Sequence, residues 1–127
     1  MRPVFVALAA LLALPLAARA QEVVGGYVAE IGVDDLYNSE GQRLGEPWQV
    51  LRQDRANFHR YGVSQPGDEW DPLFGDADNR AAMERMVRSG TISREAERDI
   101  MAGGATVYVT IWGRGGIGDY VEVEVYR

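Results

Sequence analysis

The stretch over residues 105–126 has the strongest periodic signal in the chain and constrains the fold more than any other. Two alternating runs are separated by a glycine-rich segment, with valine or isoleucine at every second position and aromatic, threonine or glutamate residues between. A period of two predicts two β-strands, each with one aliphatic face. Because a two-stranded ribbon is only marginally stable in water, the rest of the chain must cover that face.

The register of this hairpin follows from its faces, because a one-residue slip would turn the valines of one strand into water. Pairing Ile111 with Val121 keeps the aliphatic side chains together and leaves residues 113–119 as the connecting loop. The predicted pairs are Val107–Val125, Tyr108–Glu124, Val109–Val123, Thr110–Glu122, Ile111–Val121 and Trp112–Tyr120.

The loop of the hairpin contains a G-x-G-x-x-G spacing over residues 113–118, with Arg114 inside it. This spacing binds phosphate groups where a helix follows the strand, whereas here a second strand follows. The favoured interpretation is a turn built from residues that tolerate positive φ. The alternative is an anion contact through Arg114.

The first 20 residues have the pattern of an export signal. Arg2 is followed by an apolar run over residues 4–18, and Ala18-Arg19-Ala20 is a small-x-small cleavage site. The run is shorter than the ~20 residues that a membrane span requires, so we expect cleavage after Ala20 and no span in the mature chain. The prediction is a bacterial protein released into the periplasm or the medium, with residues 21–127 forming a single domain.

The composition excludes many kinds of chemistry. The chain has no cysteine, no lysine and one histidine, which excludes thiol nucleophiles, Schiff bases, P-loops and thiolate or two-histidine zinc sites. Removal of Arg2 and Arg19 with the signal lowers the net charge from −6 to −8, and an acidic exported protein is not expected to bind nucleic acid. An enzyme of this composition would have to use carboxylates.

A strand is predicted over residues 24–33, and we expect it to pair with the hairpin. Tyr27, Ala29, Ile31 and Val33 lie on one face of it, and Val28 and Glu30 lie on the other. Residues 36–37 and 42–44 can form a small extra hairpin around a polar turn.

Three helices are predicted between this strand and the terminal hairpin. Pro47 suits a first helical turn and Gly62 a helix end, which predicts a helix over residues 47–61. Two more helices are predicted over 78–89 and 93–102, with Ser93 as the N-cap of the second. The expected outward residues of the 78–89 helix are Arg80, Glu84 and Arg88. The sequence thus predicts an α+β fold, in which a small, mainly antiparallel sheet of the N-terminal strand and the C-terminal hairpin has about three helices on one face.

A polar cluster interrupts the apolar face of the first predicted helix. Asp54 falls in the middle of a face that includes Val50, Leu51, Phe58 and Tyr61. Because a buried carboxylate without a partner costs several kcal/mol, Asp54 should pair with an arginine or accept backbone hydrogen bonds.

The surrounding residues allow two interpretations of this cluster. In the structural one, Arg52, Asp54, Arg55 and His59 fix the helix against the loops, with His59 on a solvated edge. In the functional one, Asp54 is a ligand or catalytic carboxylate with Arg52, Arg55 or His59 beside it. We assign no catalytic residue.

A long acidic loop over residues 64–79 offers oxygen ligands for calcium, a cation available outside the cell. The spacing does not match an EF-hand, and capping explains the aspartates equally well, with Asp71 before a turn and Asp76 or Asp78 before a helix. Trp70, Leu73 and Phe74 should pack the loop onto the core. We therefore expect no cofactor, and the alternative is calcium held by Asp68, Asp71, Asp76 and Asp78.

The outward face of the hairpin is the candidate binding surface. Tyr108, Trp112 and Tyr120 lie on it, and amphipathic aromatic side chains bury large areas at low entropic cost. The alternative is that the first strand or a loop covers them. The leading function is a non-enzymatic exported interaction module for an envelope protein or glycan.

The rival function is a small carboxylate-dependent hydrolase that acts on envelope polysaccharide. It would need a cleft containing Asp54 and a second carboxylate about 5–9 Å away.

Overall fold

The computed structural model of the chain describes residues 20–127, so the predicted export signal lies outside the described residues except for Ala20. The fold is α+β, as predicted. A 3₁₀ turn at Val33–Leu36 follows the first strand, and a π-helical turn at Asn57–Tyr61 extends the first helix. The other elements are β1 (Glu22–Glu30), α1 (Pro47–Ala56), α2 (Ala77–Ala81), α3 (Met83–Ser89), β2 (Thr91–Ile92), α4 (Arg94–Ala102), β3 (Thr106–Arg114) and β4 (Ile117–Val125).

The four strands form one mixed sheet in the order β1-β3-β4-β2. β1 is antiparallel to β3, as predicted, and β3 and β4 form the terminal hairpin with all six predicted pairs in register. The two-residue strand β2 runs parallel to β4. No sequence pattern predicted this strand. It explains why the sheet is mixed and not wholly antiparallel.

The loop of the hairpin is shorter than the predicted 113–119. The strands continue to Arg114 and from Ile117, and a register shift follows Trp112. Gly115 and Gly116, at φ 57° and 81°, make the two-residue turn. Two successive residues with positive φ match the right-handed twist of the flanking strands, and glycine adopts them without strain.

The helices cover the valine face of the sheet. Val107, Val109, Ile111 and Val121 are fully buried there, together with Tyr27 of β1. They pack in one cluster with side chains of the helices and the long loop, among them Val50, Leu51, Phe74, Met83, Met86 and Ile100. Leu73 and Phe74 are buried as predicted, but Trp70 is 67% exposed and does not join the core.

Two residues predicted on the apolar faces of elements are exposed, one after the end of β1 and one in the π-helical turn. Val33, at 73% exposure, begins the 3₁₀ turn and not the end of the strand. Tyr61 is 51% exposed, whereas Asn57 is buried. A π-helical turn closes i→i+5 hydrogen bonds, so Asn57 and Tyr61 within it no longer follow the 3.6-residue spacing on which the predicted face depends.

The predicted helix over 78–89 is divided at Ala82 into α2 and α3. Glu84 and Arg88 form the expected i,i+4 ion pair, with 2.8 Å between Oε1 and Nη2. Arg80, however, is buried and not outward, because its Nη1 donates to the carbonyl oxygens of Phe74 and Gly75 at 2.9 and 3.1 Å.

Within residues 20–127, none of the helices has the length and apolar character that crossing a bilayer would demand.

Candidate functional site

The Arg55 guanidinium lies in the interior, fully buried at the end of α1. Its Nε donates to Asp54 Oδ2 at 2.8 Å, and its Nη1 donates to Asp71 Oδ1 at 3.0 Å and to the Glu69 carbonyl oxygen at 2.9 Å. Asp68 Oδ1 lies 3.9 Å from Nη2. One arginine therefore joins α1 to three residues of the long loop.

Aromatic rings enclose the same cation. The Arg55 Cζ atom lies 4.0 Å from the centre of the Tyr27 ring and 4.7 Å from that of Phe58. A cation over an aromatic face is attracted by the ring quadrupole, and more strongly when water is excluded. The guanidinium is thus held by carboxylates at its edge and by rings at its faces.

Asp71 is the acceptor that organises this cluster. Its Oδ1 also lies 2.6 Å from His59 Nε2, and its Oδ2 accepts the backbone N–H groups of Leu73 and Phe74. Burial alone would raise the pKa of Asp71, but the hydrogen bonds from His59, Phe74, Arg55 and Leu73 outweigh it and hold the pKa below its usual value.

The predicted position of His59 on a solvated edge is wrong. Its side chain is only 10% exposed and faces Asp71. The Asp71 carboxylate comes from a loop 12 residues further along the chain, which helical periodicity cannot reveal.

Asp54 is buried at 1% exposure and bonded to Arg55, as its helical position predicts. Burial raises its pKa well above the usual value despite the nearby Arg55, and the charges of Asp35 and Asp68 add to the rise. Among residues 20–127, its Oδ1 has no hydrogen-bond partner. Asp35 is likewise buried, and burial raises its pKa although Asn57 donates to it.

The structure brings together three of the four residues of the predicted polar cluster, Asp54, Arg55 and His59. Arg52 does not join them, because it is exposed and its Cζ lies 5.0 Å over the ring of Trp48. No sequence pattern links Asp68, Asp71 or Tyr27 to the cluster. From the sequence, Asp71 was recognisable as a turn cap and as a candidate calcium ligand.

Three of the four proposed calcium ligands, Asp68, Asp71 and Asp76, are engaged by the protein itself, whereas the Asp78 side chain is exposed. Asp68 accepts the backbone N–H groups of Glu30 and Gln65, each at 2.8 Å, and Asp76 caps α2 by accepting from Asp78 N and Asn79 N. No group of three or more histidine or acidic side chains within residues 20–127 is arranged to hold a metal ion. The geometry therefore gives the calcium alternative no support.

The outer face of the sheet carries the predicted aromatic residues. The rings of Tyr108 and Tyr126 lie 6.2 Å apart, and those of Trp112 and Tyr120 are stacked at 6.2 Å with 12° between their planes. Tyr108 is 39% exposed and Tyr126 51% exposed, whereas Trp112 and Tyr120 are half-buried. The Tyr108 side chain lies over Gly26 of the neighbouring strand β1. A Cβ at Gly26 would lie 2.3 Å from the Tyr108 hydroxyl oxygen.

Arg114 lies at the tip of the hairpin, exposed, with its Nε 3.6 Å from Asp119 Oδ2. The neighbouring Gly115 N–H donates to Glu22 Oε1 at 3.2 Å. The anions at this turn are therefore two carboxylates of the chain itself, those of Asp119 and Glu22.

A separate open groove of about 530 Å³ lies between the π-helical turn and the segment after the 3₁₀ turn. No residue of the predicted polar cluster lines this groove, and no sequence pattern predicted the groove. We call it the tyrosine groove, and its lining residues are Asp34, Tyr37, Asn38, Ser39, Gln53, Asn57, Tyr61 and Val63.

No protein-family model matches this chain, and no curated protein or solved structure shows significant similarity to it.

Proposed function

We propose that the protein is exported with cleavage after Ala20 and acts as a non-enzymatic interaction module, whose outer sheet face binds a basic segment of an envelope protein. The observation that carries this proposal is the sheet itself. Helices cover its valine face, while Tyr108 and Tyr126 remain exposed on the other face of the same rigid hairpin. Rigid aromatic side chains with polar ends are enriched where proteins bind one another.

The charge of this face indicates the kind of partner. Between Thr106 and Trp112 of β3 and their paired residues, the outward positions include Glu30, Glu122 and Glu124 and no arginine. None of the ion pairs formed within residues 20–127 involves Glu122 or Glu124. An arginine or lysine of a partner can pair with these carboxylates and lie against the tyrosine rings.

The rival hydrolase gains no support from the position of its carboxylates. Asp54 and Asp71 are each 1% exposed and bonded to Arg55, so neither lies in a cleft that a polysaccharide could enter. A glycosidase pair must flank the scissile bond, with room for substrate between the two groups.

The test is a titration of the protein recovered from cells with a synthetic peptide of alternating arginine and serine. We expect saturable binding that weakens as salt is added, because the Debye length shortens. Glu122→Gln and Glu124→Gln should each weaken binding by up to about fivefold, as the ~0.2–1 kcal/mol of an exposed ion pair implies. Tyr126→Ala should weaken it as well.

Two variants control for general effects of charge and of tyrosine. Glu97→Gln removes an exposed carboxylate from α4, and Tyr61→Ala removes a tyrosine as exposed as Tyr126, each at 51%. Neither should change the affinity. Equal binding of a peptide with glutamine in place of arginine, or unchanged binding after both glutamates are replaced, would contradict the proposal.

A further inference from the structure

The tyrosine groove has the size of a ligand site. Its volume of about 530 Å³ lies within the ~300–1,000 Å³ typical of small-molecule pockets. Tyr37, Tyr61 and Val63, which are 40%, 51% and 38% exposed, all line it. Three of the nine large apolar side chains that are exposed within residues 20–127 thus lie together in one concave place.

A local irregularity of the helix builds one wall of the groove. Gln53, Asn57 and Tyr61 all line it, and the π-helical turn at Asn57–Tyr61 directs Asn57 inward while leaving Tyr61 half-exposed. π-Helical turns are rare and frequently occur at functional sites. The turn ends at Gly62, whose φ of 68° is left-handed.

Hydrogen bonds hold the polar part of the groove in place before any ligand arrives. Gln53 Nε2 donates to Asn57 Oδ1 at 2.9 Å, and Asn57 Nδ2 donates to Asp35 Oδ1 at 2.8 Å. Within residues 20–127, Gln53 Oε1 and the exposed Asp34 carboxylate accept no hydrogen bond from the protein. Gln53 is thus held in place while its acceptor Oε1 is unused, which reduces the entropy lost on binding.

The charge around the groove favours a neutral ligand. Arg43 and Arg60 lie against the two tyrosine rings, with their Cζ atoms 5.8 and 5.2 Å from the ring centres of Tyr37 and Tyr61. Asp34 is the charged side chain that lines the groove, and the two arginines border it. Charges of both signs therefore lie beside the groove, and an ionic ligand of either sign would meet a like charge. Tyrosine rings offer an apolar face and a hydroxyl group, which suits a ligand that has both C–H faces and hydroxyl groups.

We infer that the tyrosine groove binds a neutral saccharide. The C–H face of a sugar ring lies against Tyr37 or Tyr61, and sugar hydroxyl groups donate to the Asp34 carboxylate and to Gln53 Oε1. This inference does not depend on the outer sheet face, because the groove lies on the helix and loop layer of the fold.

The experiment is an NMR titration of the ¹⁵N-labelled protein, as recovered from cells, with maltotriose, cellotriose and N-acetylchitotriose at millimolar concentrations. The expected result is a saturable shift of the Gln53 and Asn57 side-chain amide signals with at least one trisaccharide. Tyr61→Ala should weaken that binding about tenfold, which corresponds to losing ~1.4 kcal/mol of contact. Asp34→Asn, a second variant at an exposed position, should weaken it severalfold.

The matched control is Tyr126→Ala, which removes a tyrosine of equal exposure, 51%, from the outer sheet face. It should leave the saccharide affinity unchanged. The inference is overturned if none of the three trisaccharides gives a saturable shift, if tetramethylammonium chloride alone does so, or if Tyr61→Ala and Asp34→Asn both bind as the unmodified protein does.

Discussion

At the scale of single residues, Asp71 accepts more hydrogen bonds than Asp54 or Asp68, the other two acids beside the buried Arg55 guanidinium. It accepts hydrogen bonds from Arg55 and His59 and from two backbone N–H groups of its own turn. Asp71→Ala should lower the free energy of unfolding by about 3–5 kcal/mol, because the Arg55 guanidinium would remain buried with a lost partner. Urea denaturation measures this change.

The control for this variant is Asp78→Ala, which removes an exposed aspartate from α2. It should change the stability by no more than about 0.5 kcal/mol. An equal, small effect of both variants would mean that the contacts of Asp71 with Arg55 and His59 do not stabilise the fold.

Asp54 and Asp71 should give opposite dependences of stability on pH. The lowered pKa of Asp71 contributes stability that is present above the unfolded pKa of about 3.9 and is lost as the pH falls through its folded value. The raised pKa of Asp54 contributes stability that is fully present below about 3.9 and is lost as the pH rises through its folded value.

Asp54→Asn should therefore flatten the decline in the free energy of unfolding above about pH 4. A weaker decline should remain, because burial also raises the pKa of Asp35. Asp71→Asn should instead reduce the loss in the free energy of unfolding that occurs as the pH falls below about 3.9. Urea denaturation at a series of pH values checks both, and an unchanged slope above pH 4 in Asp54→Asn would disprove this account.

At the scale of elements, Gly90 permits α3 to approach the sheet. A Cβ at this position would lie 1.8 Å from the Val121 carbonyl oxygen, a backbone atom of β4. Gly90→Ala should destabilise the protein by about 1–3 kcal/mol, since the helix and strand would have to separate. Thermal or urea unfolding measures the loss.

Gly45→Ala is the matched control, because nothing lies within 4 Å of a Cβ there. Its effect should stay within about 0.5 kcal/mol. Similar behaviour of the two alanine variants would show that the close approach of α3 to β4 is not needed for stability.

At the scale of the whole molecule, the proposal of export makes a prediction about processing. The protein recovered from the periplasm or medium should begin at Gln21, because Ala18 and Ala20 are the small residues that the cleavage site requires. Intact-mass measurement detects this. Ala18→Leu should cause the uncleaved chain to accumulate, and an unprocessed chain in the unmodified protein would contradict the proposal.

The two proposed binding surfaces belong to different layers of the molecule. The outer sheet face presents Tyr126, and the tyrosine groove presents Tyr61 from the helix and loop layer. Each tyrosine variant therefore serves as the control for the other. A variant that impaired both activities would indicate general damage to the fold.

The features that the sequence by itself determined are those with local causes. Alternation and the cost of exposing valine decide the register of β3 and β4, from Val107–Val125 to Trp112–Tyr120. Pro47 begins α1 and Ser93 caps α4 because each acts within one turn of the chain. The burial of Asp54 also follows from helical spacing alone.

The features that only the tertiary structure decided depend on partners distant in sequence or on small changes of helix type. Arg55 and His59 are buried because Asp71 reaches them from the long loop. The tyrosine groove exists because a π-helical turn, which no periodic pattern marked, exposes Tyr61 beside the segment that contains Tyr37. Polarity predicts that a charged side chain will contact either a partner or water. Which of the two it contacts depends on the folded structure, which places some partners within reach and not others.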